Sequence, residues 1–208
     1  MKARFFTLVA LLAFALATSA QTATDVLNNT AQKLKNCGGI EATFEATSFQ
    51  GTTEEGTTSG TIYIKEDKFK INTPDAHIWF DGKTQWALYA NSDEVNVSNP
   101  TKEELQSINP YNFINFYKHG FEHSMTDASY NGKACYNVRM VPQNPMKIKE
   151  MFIVIDKSSL LPYSIRIRQN NDWFRIRVLK VNTEKKWKDS FFRFDKKEYP
   201  NVEVIDLR

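Results

Sequence analysis

The residues able to do chemistry are few and scattered. Asp81-Gly82-Lys83-Thr84 contains the Gly-Lys-Thr end of a phosphate-binding loop. Such a loop needs G-x-x-x-x-G-K-[ST], a glycine-rich cradle opening a helix. Here His77 stands where the first glycine would be, and Asp-Gly between two alternating runs signals a hairpin, so a turn is expected. His119 and His123 are four apart, but Gly120 breaks the helix that would bring them together, and no third ligand lies nearby. The neighbouring carboxylates Glu54-Glu55 and Glu103-Glu104 fall in a turn and at a helix start, where they read as solvated charge. With three histidines, no G-x-S-x-G and no H-E-x-x-H, no nucleophile has a recognisable base beside it. The expectation is a protein that is not an enzyme and uses neither metal nor cofactor.

The one concentrated charge pattern is arginine. Tyr163–Gln169 and Asp172–Val181 alternate around Asn170-Asn171, which reads as a two-residue hairpin turn. In that register Ile167 faces Phe174, Ile165 faces Ile176 and Arg166 faces Arg175. The aliphatics share one face, and Arg166, Arg168, Arg175 and Arg177 share the other. Four arginines on one face repel unless something anionic lies across them. Either local Asp and Glu side chains supply it on a solvated convex face, or the face docks an acidic partner or lipid headgroups.

Most of the chain that positions these residues alternates with period two. Ile40–Phe49, Thr61–Lys65, Lys68–Thr73, His77–Phe80, Gln85–Ala90 and Glu94–Ser98 read as a meander, with Gly51–Gly60 as a polar turn. Strands resume at Ala134–Val141. Glu150–Ile155 is apolar on both faces and is expected at the centre of the sheet. Phe191-Phe192-Arg193-Phe194 and the closing Val202–Leu207 are expected edge strands.

Helical spacing occurs in three places. Thr24–Lys35 carries an apolar stripe of Val26, Leu27, Thr30, Ala31 and Leu34, capped by Thr24. Thr101 and Glu104 form a capping box for a short helix to Ser107. In Asn109–Phe121, Pro110, Phe113, Ile114 and Tyr117 fall on one helix face. The sum is a mainly β fold of about ten or eleven strands: a curved antiparallel sheet, or incomplete β-barrel, with three short helices on its concave apolar face. Phe44, Ile62, Ile64, Phe69, Ile71, Phe80 and Trp86 are expected to line the concave face, and Phe113, Ile114 and Tyr117 to cover it. An apolar cavity under a removable helix could hold acyl chains, each buried CH₂ contributing about 0.8 kcal/mol.

Lys2 and Arg4, the apolar run Phe5–Leu16 and the small residues Ala17–Ala20 form a signal-peptide pattern, with cleavage expected after Ala20 or, second, Ala17. Residues 21–208 are then expected to be one exported domain. The formal net charge is +3, and +1 without Lys2 and Arg4, so charge does not point to nucleic acid. Export permits a disulfide between Cys37 and Cys135, and two separate buried thiols serve as well.

With these elements in place the chain resembles the LolA-type periplasmic lipoprotein carriers. The matching residues are Gly60-x-Ile62-x-Ile64-Lys65, Asp81-Gly82-Lys83-Thr84-x-Trp86, the Asn109-Pro110 helix after an acidic segment, Phe191-x-x-Phe194, and Val204-Ile205-Asp206-x-Arg208. The closing residues and the Asn-Pro-Tyr-x-Phe run are more similar to the LolA-like proteins of Bacteroidetes. The resemblance implies an incomplete barrel that carries lipoprotein acyl chains, as a monomer, from an inner-membrane release complex to an outer-membrane acceptor. Proteobacterial members typically carry Lys-Arg-Pro after the second strand, and that arginine helps hold the lid closed. This chain has Lys65-Glu66-Asp67 instead. Relatives of the fold that bind other lipids or sense envelope stress give the alternative: an interaction module that transfers no lipoprotein.

Overall fold

The computed structural model describes residues 21–101, 104–105, 117–118 and 120–208. Helix α1 spans Ala23–Asn36 and buries Val26, Leu27, Thr30, Ala31 and Leu34, the stripe expected from its spacing. Its cap is Thr22 rather than Thr24, because Asp25 reciprocates: the Thr22 hydroxyl accepts from Asp25 N, and Asp25 Oδ2 accepts from Thr22 N. A second capping box forms as expected, with Thr101 N donating to Glu104 Oε2 at 2.7 Å. The Asn109–Phe121 helix falls almost wholly outside the described residues; of its core set only Tyr117 is described.

Twelve strands form one sheet, one more than the upper expectation. They are β1 (Ile40–Gln50), β2 (Thr53–Lys65), β3 (Lys68–Asn72), β4 (Ala76–Phe80), β5 (Gln85–Tyr89), β6 (Glu94–Ser98), β7 (Phe121–Tyr130), β8 (Lys133–Pro142), β9 (Ile148–Asp156), β10 (Pro162–Gln169), β11 (Asp172–Asn182) and β12 (Glu203–Asp206). Their order is β12-β6-β5-β4-β3-β2-β1-β11-β10-β9-β8-β7. All neighbours are antiparallel except β12, which runs parallel to β6. The sheet is curved and open, ending at β12 on one side and β7 on the other, so it is not a closed barrel.

The β10–β11 register is the one expected from sequence, with Ile165 opposite Ile176, Arg166 opposite Arg175 and Ile167 opposite Phe174. Three expectations are corrected. Gly51–Gly60 is not a turn: only Gly51-Thr52 turns, and β2 begins at Thr53. Small polar residues still complete a backbone ladder, and the Thr47 and Thr57 hydroxyls bond across it at 3.0 Å. Strands resume at Phe121, not Ala134. The β7–β8 turn is Asn131-Gly132, both at positive φ (49° and 77°), an Asn-Gly hairpin signal that polar β7 leaves without an apolar alternation beside it. Finally, Phe191–Phe194 is no strand; Asp189–Phe192 is a short 3-10 turn.

The concave face holds two apolar clusters. Val26, Leu27 and Ala31 of α1 pack with Tyr117 on Val138, Met140, Ile153 and Ile165 of the β7–β10 half. Leu34 packs on Ile40, Ile62, Ile64, Phe69, Ile71 and Phe80 of the β1–β4 half. A third cluster lies on the other face, where the C-terminal segment brings Phe194, Tyr199 and Val202 onto Trp79, Leu88 and Val95. Cys37 and Cys135 are separate thiols. Cys37 packs with the β1–β4 cluster, whereas Cys135 lies on β8 out of step with inward-facing Val138 and Met140.

Candidate functional site

Between the two concave clusters the sheet leaves an open cavity of about 750 Å³. One wall comes from the β1–β4 half, with Phe44, Ile62, Ile71 and Ile78; the other from the β10–β11 hairpin, with Ile167, Phe174 and Ile176. Strand β1 joins them, because its register with β11 puts Phe44 opposite Val178, Ala46 opposite Ile176 and Ser48 opposite Phe174. A polar rim of Ser48, Thr57, Thr58, Asp75 and Gln169 borders the apolar walls, and Thr58 Oγ1 donates to Asp75 Oδ2 at 3.3 Å. An apolar pocket of this size with few polar groups suits a lipid chain rather than a polar metabolite.

Of the residues expected on the concave face, Phe44, Ile62 and Ile71 line the cavity. Ile64, Phe69 and Phe80 belong to the packed cluster beside it, where the Phe69 and Phe80 rings stack at 5.1 Å. Trp86 is not brought to this face. The β4–β5 register pairs Ile78 with Ala87 and Trp79 with Trp86, so the tryptophans share the opposite face. Phe113 and Ile114 lie outside the described residues.

Tyr117 is fully buried, in the cluster beneath α1. Its hydroxyl donates to Asn28 Oδ1 at 2.6 Å, and burial pushes the phenol pKa up. Its carbonyl accepts from His123 Nε2 at 2.8 Å, while His123 Nδ1 lies 3.1 Å from Thr24 Oγ1. A carbonyl can only accept, so Nε2 carries the proton, and in the neutral ring Nδ1 accepts from Thr24. His123 thereby ties Tyr117 and α1 to β7. His119 lies outside the described residues, and no group of metal-binding side chains occurs among those described.

Cavity residues missed by sequence reasoning are mainly Ile167, Phe174 and Ile176. Alternation placed them on one face of a hairpin, but only the β1–β11 pairing sets that hairpin against Phe44. Gly60, opposite Phe44 on β2, has a role that alternation does not show: a Cβ there would stand 2.8 Å from Phe44 Cζ. The glycine lets the Phe44 ring lie across β2 as a cavity wall.

The four hairpin arginines lie on the face opposite the apolar walls, with Arg175 also bordering the cavity, and two of the four have acidic partners. Arg168 and Arg139 both reach the largely buried Glu150, at 3.0 and 2.9 Å, and Arg177 pairs with Glu45. Arg166 lies over Trp173 at 4.7 Å and over Phe152 at 5.9 Å; Arg175 lies over Phe49 at 5.0 Å.

The remaining motif residues hold the fold. Asp81 Oδ1 accepts from Lys83 N and Thr84 N, and Oδ2 pairs with Arg193 at 2.9 Å, tying the hairpin turn to the C-terminal segment. No helix follows this turn, which confirms the hairpin reading of Gly-Lys-Thr. Glu66 sits in the β2–β3 turn at positive φ (56°) and faces Lys68 at 3.5 Å. Beneath the C-terminal segment, Lys70 Nζ lies 4.8 Å from the Phe191 ring centre, and burial pushes its pKa down.

No curated protein sequence matches the chain. Solved structures similar to it include a putative outer membrane lipoprotein-sorting protein domain from Vibrio parahaemolyticus, at 10% identity over 86% of this chain and 97% of that one, with a TM-score of 0.49. A LolA superfamily protein from Nitrosomonas europaea matches at 9% identity over 84% and 98%, TM-score 0.46. The lipoprotein LppX from Mycobacterium tuberculosis matches at 10% over 78% and 98%, TM-score 0.45. The assignment rests on the family model described as outer membrane lipoprotein carrier protein LolA, which matches residues 13–171, from before α1 through the β10–β11 turn. The chain therefore belongs to the LolA outer membrane lipoprotein carrier family.

Proposed function

We propose that this protein is a non-enzymatic periplasmic carrier that holds lipoprotein acyl chains in the concave cavity and delivers them to the outer membrane. The observation that carries the reading is the open 750 Å³ cavity with apolar walls on both sides of β1, in a chain of the LolA family. Binding is driven by withdrawing CH₂ groups from water, at about 0.8 kcal/mol each. The polar rim suits the acyl–headgroup junction, which stays wet. An inner-membrane donor and an outer-membrane acceptor are the partners that such a carrier requires.

The test is binding of a fluorescent fatty acid by delipidated protein. Ile176 lines the cavity, so Ile176→Glu places a carboxylate against the chain and is expected to weaken binding at least tenfold, or about 1.4 kcal/mol. Leu179, on the same strand but 56% exposed, supplies the control, and Leu179→Glu should bind as the parent does. An Ile176→Glu protein with parental circular dichroism and undiminished probe binding would sink the cavity assignment. A permanently plugged interaction module would bind no probe and extract no diacyl lipid from vesicles.

A further inference from the structure

Arg166 and Arg175 stand directly opposite each other in the β10–β11 ladder. Like charges in that position destabilise a sheet unless an opposite charge joins them. Glu150 is engaged by Arg139 and Arg168, and Glu45 by Arg177. Among the described residues no carboxylate is within ion-pair distance of Arg166 or Arg175. Arg175 Nη2 reaches only the Thr47 hydroxyl, at 3.4 Å, and its Nε is buried without a partner. On this face of β8–β11 and β1, Glu150 and Glu45 pair with three of the five arginines, Glu41 pairs with Lys185 and Asp156 is taken up by Ser158, Ser159 and Tyr163, so Arg166 and Arg175 are left without an anion among the described residues.

We propose that this arginine face docks on a membrane surface bearing anionic phospholipid. Two features favour a bilayer over an acidic protein. The arginines are interleaved with half-buried aromatics, Phe49, Phe152 and Trp173, the mixture of cation and amphipathic ring that suits a headgroup region. The face also runs to the cavity mouth: Arg175 lines the cavity, and Phe174, 39% exposed beside Trp173, offers an apolar group at the same hairpin end. Headgroup phosphates over Arg166 and Arg175 would supply the missing anions and set the mouth next to the lipid. The docking surface goes beyond the carrier reading and stands whatever the cavity holds.

The experiment is sedimentation of the full mature chain with vesicles of phosphatidylglycerol mixed equally with phosphatidylcholine, and with phosphatidylcholine alone. The protein is expected to bind the anionic vesicles, to release in high salt, and to leave the neutral ones unbound. Arg166→Gln/Arg175→Gln should weaken binding about thirtyfold, at roughly fivefold per arginine, while Arg166→Lys/Arg175→Lys keeps most of it. Fatty-acid probe binding by the single variant Arg166→Gln, whose vesicle binding should fall about fivefold, should be unchanged, since Arg166 does not line the cavity. It separates failure of docking from failure of the carrier reading, and parental circular dichroism reports that the double variants are folded. Equal binding to neutral vesicles, parental binding by the double glutamine variant, or no vesicle binding by the parent overturns the proposal. The last of these would leave an acidic protein as the partner for this face.

Discussion

Gly60 allows the tightest test of how the cavity wall is built. A Cβ at this position would meet Asn72 O at 2.6 Å, Phe44 Cζ at 2.8 Å and Thr73 Cγ2 at 2.8 Å. The phenyl ring can turn away, but the Asn72 carbonyl belongs to the backbone of β3, whose residue 72 pairs with Thr61. Gly60→Ala therefore overpacks the β2–β3 seam, at a cost of about 1–3 kcal/mol. The lost freedom of the unfolded chain returns about 0.4–1 kcal/mol, leaving a mid-range net loss of about 1.3 kcal/mol. For a chain of this size that lowers the melting temperature by roughly 3–5 °C. Gly56→Ala is the internal control: the same strand, and nothing within 4 Å of its Cβ. It should be neutral or slightly stabilising. Thermal unfolding followed by circular dichroism reads both. Adding Phe44→Leu to Gly60→Ala should recover only part of the loss, because the Asn72 carbonyl remains. A Gly60→Ala protein that melts at or above the parental temperature would refute the argument that glycine is required by close approach here.

Three further outcomes follow from the geometry. Asp156 is 2% exposed and receives the Ser158 hydroxyl, the Ser159 N–H, the Tyr163 hydroxyl and the Ser159 hydroxyl, which hold its carboxyl far below the ordinary range. A depressed carboxylate stabilises the fold above its unfolded value, near 3.8, and that stability is lost as pH falls toward the folded value. Asp156→Asn should thus cost about 1–3 kcal/mol at neutral pH, with the difference from the parent closing in urea titrations below about pH 4. Tyr117→Phe removes the donor to Asn28 Oδ1, so it should cost about 1 kcal/mol and lower hydrogen-exchange protection in α1. Because Cys37 and Cys135 are separate thiols, a reductant should leave the melting temperature unchanged, and Cys135, fully buried, should react with a thiol reagent only on unfolding.

The limits of sequence reading show most clearly at Trp86 and the arginines. Alternation says that Trp86 and Ala87 face opposite ways; it does not say which way is concave. That is decided by the Phe80–Gln85 pairing across the Asp81-Gly82 turn and by the C-terminal aromatics that come to rest on Trp79. Likewise the expected hairpin register put Arg166 opposite Arg175, but not Glu150 and Glu45 beside Arg168 and Arg177, since those carboxylates come from β9 and β1.

What the sequence determined by itself was local: the α1 stripe, the Thr101–Glu104 capping box, the Asn170-Asn171 register and the predominance of strands. Each depends on residues a few positions apart, where side-chain period and turn chemistry act directly. What only the tertiary structure decided was long-range: that β1 pairs with β11, that Ile167, Phe174 and Ile176 thereby face Phe44, and that the sheet ends open at β7 and β12. Pairings across more than a hundred residues are selected by burial of whole faces against one another, a quantity that no short window of sequence contains.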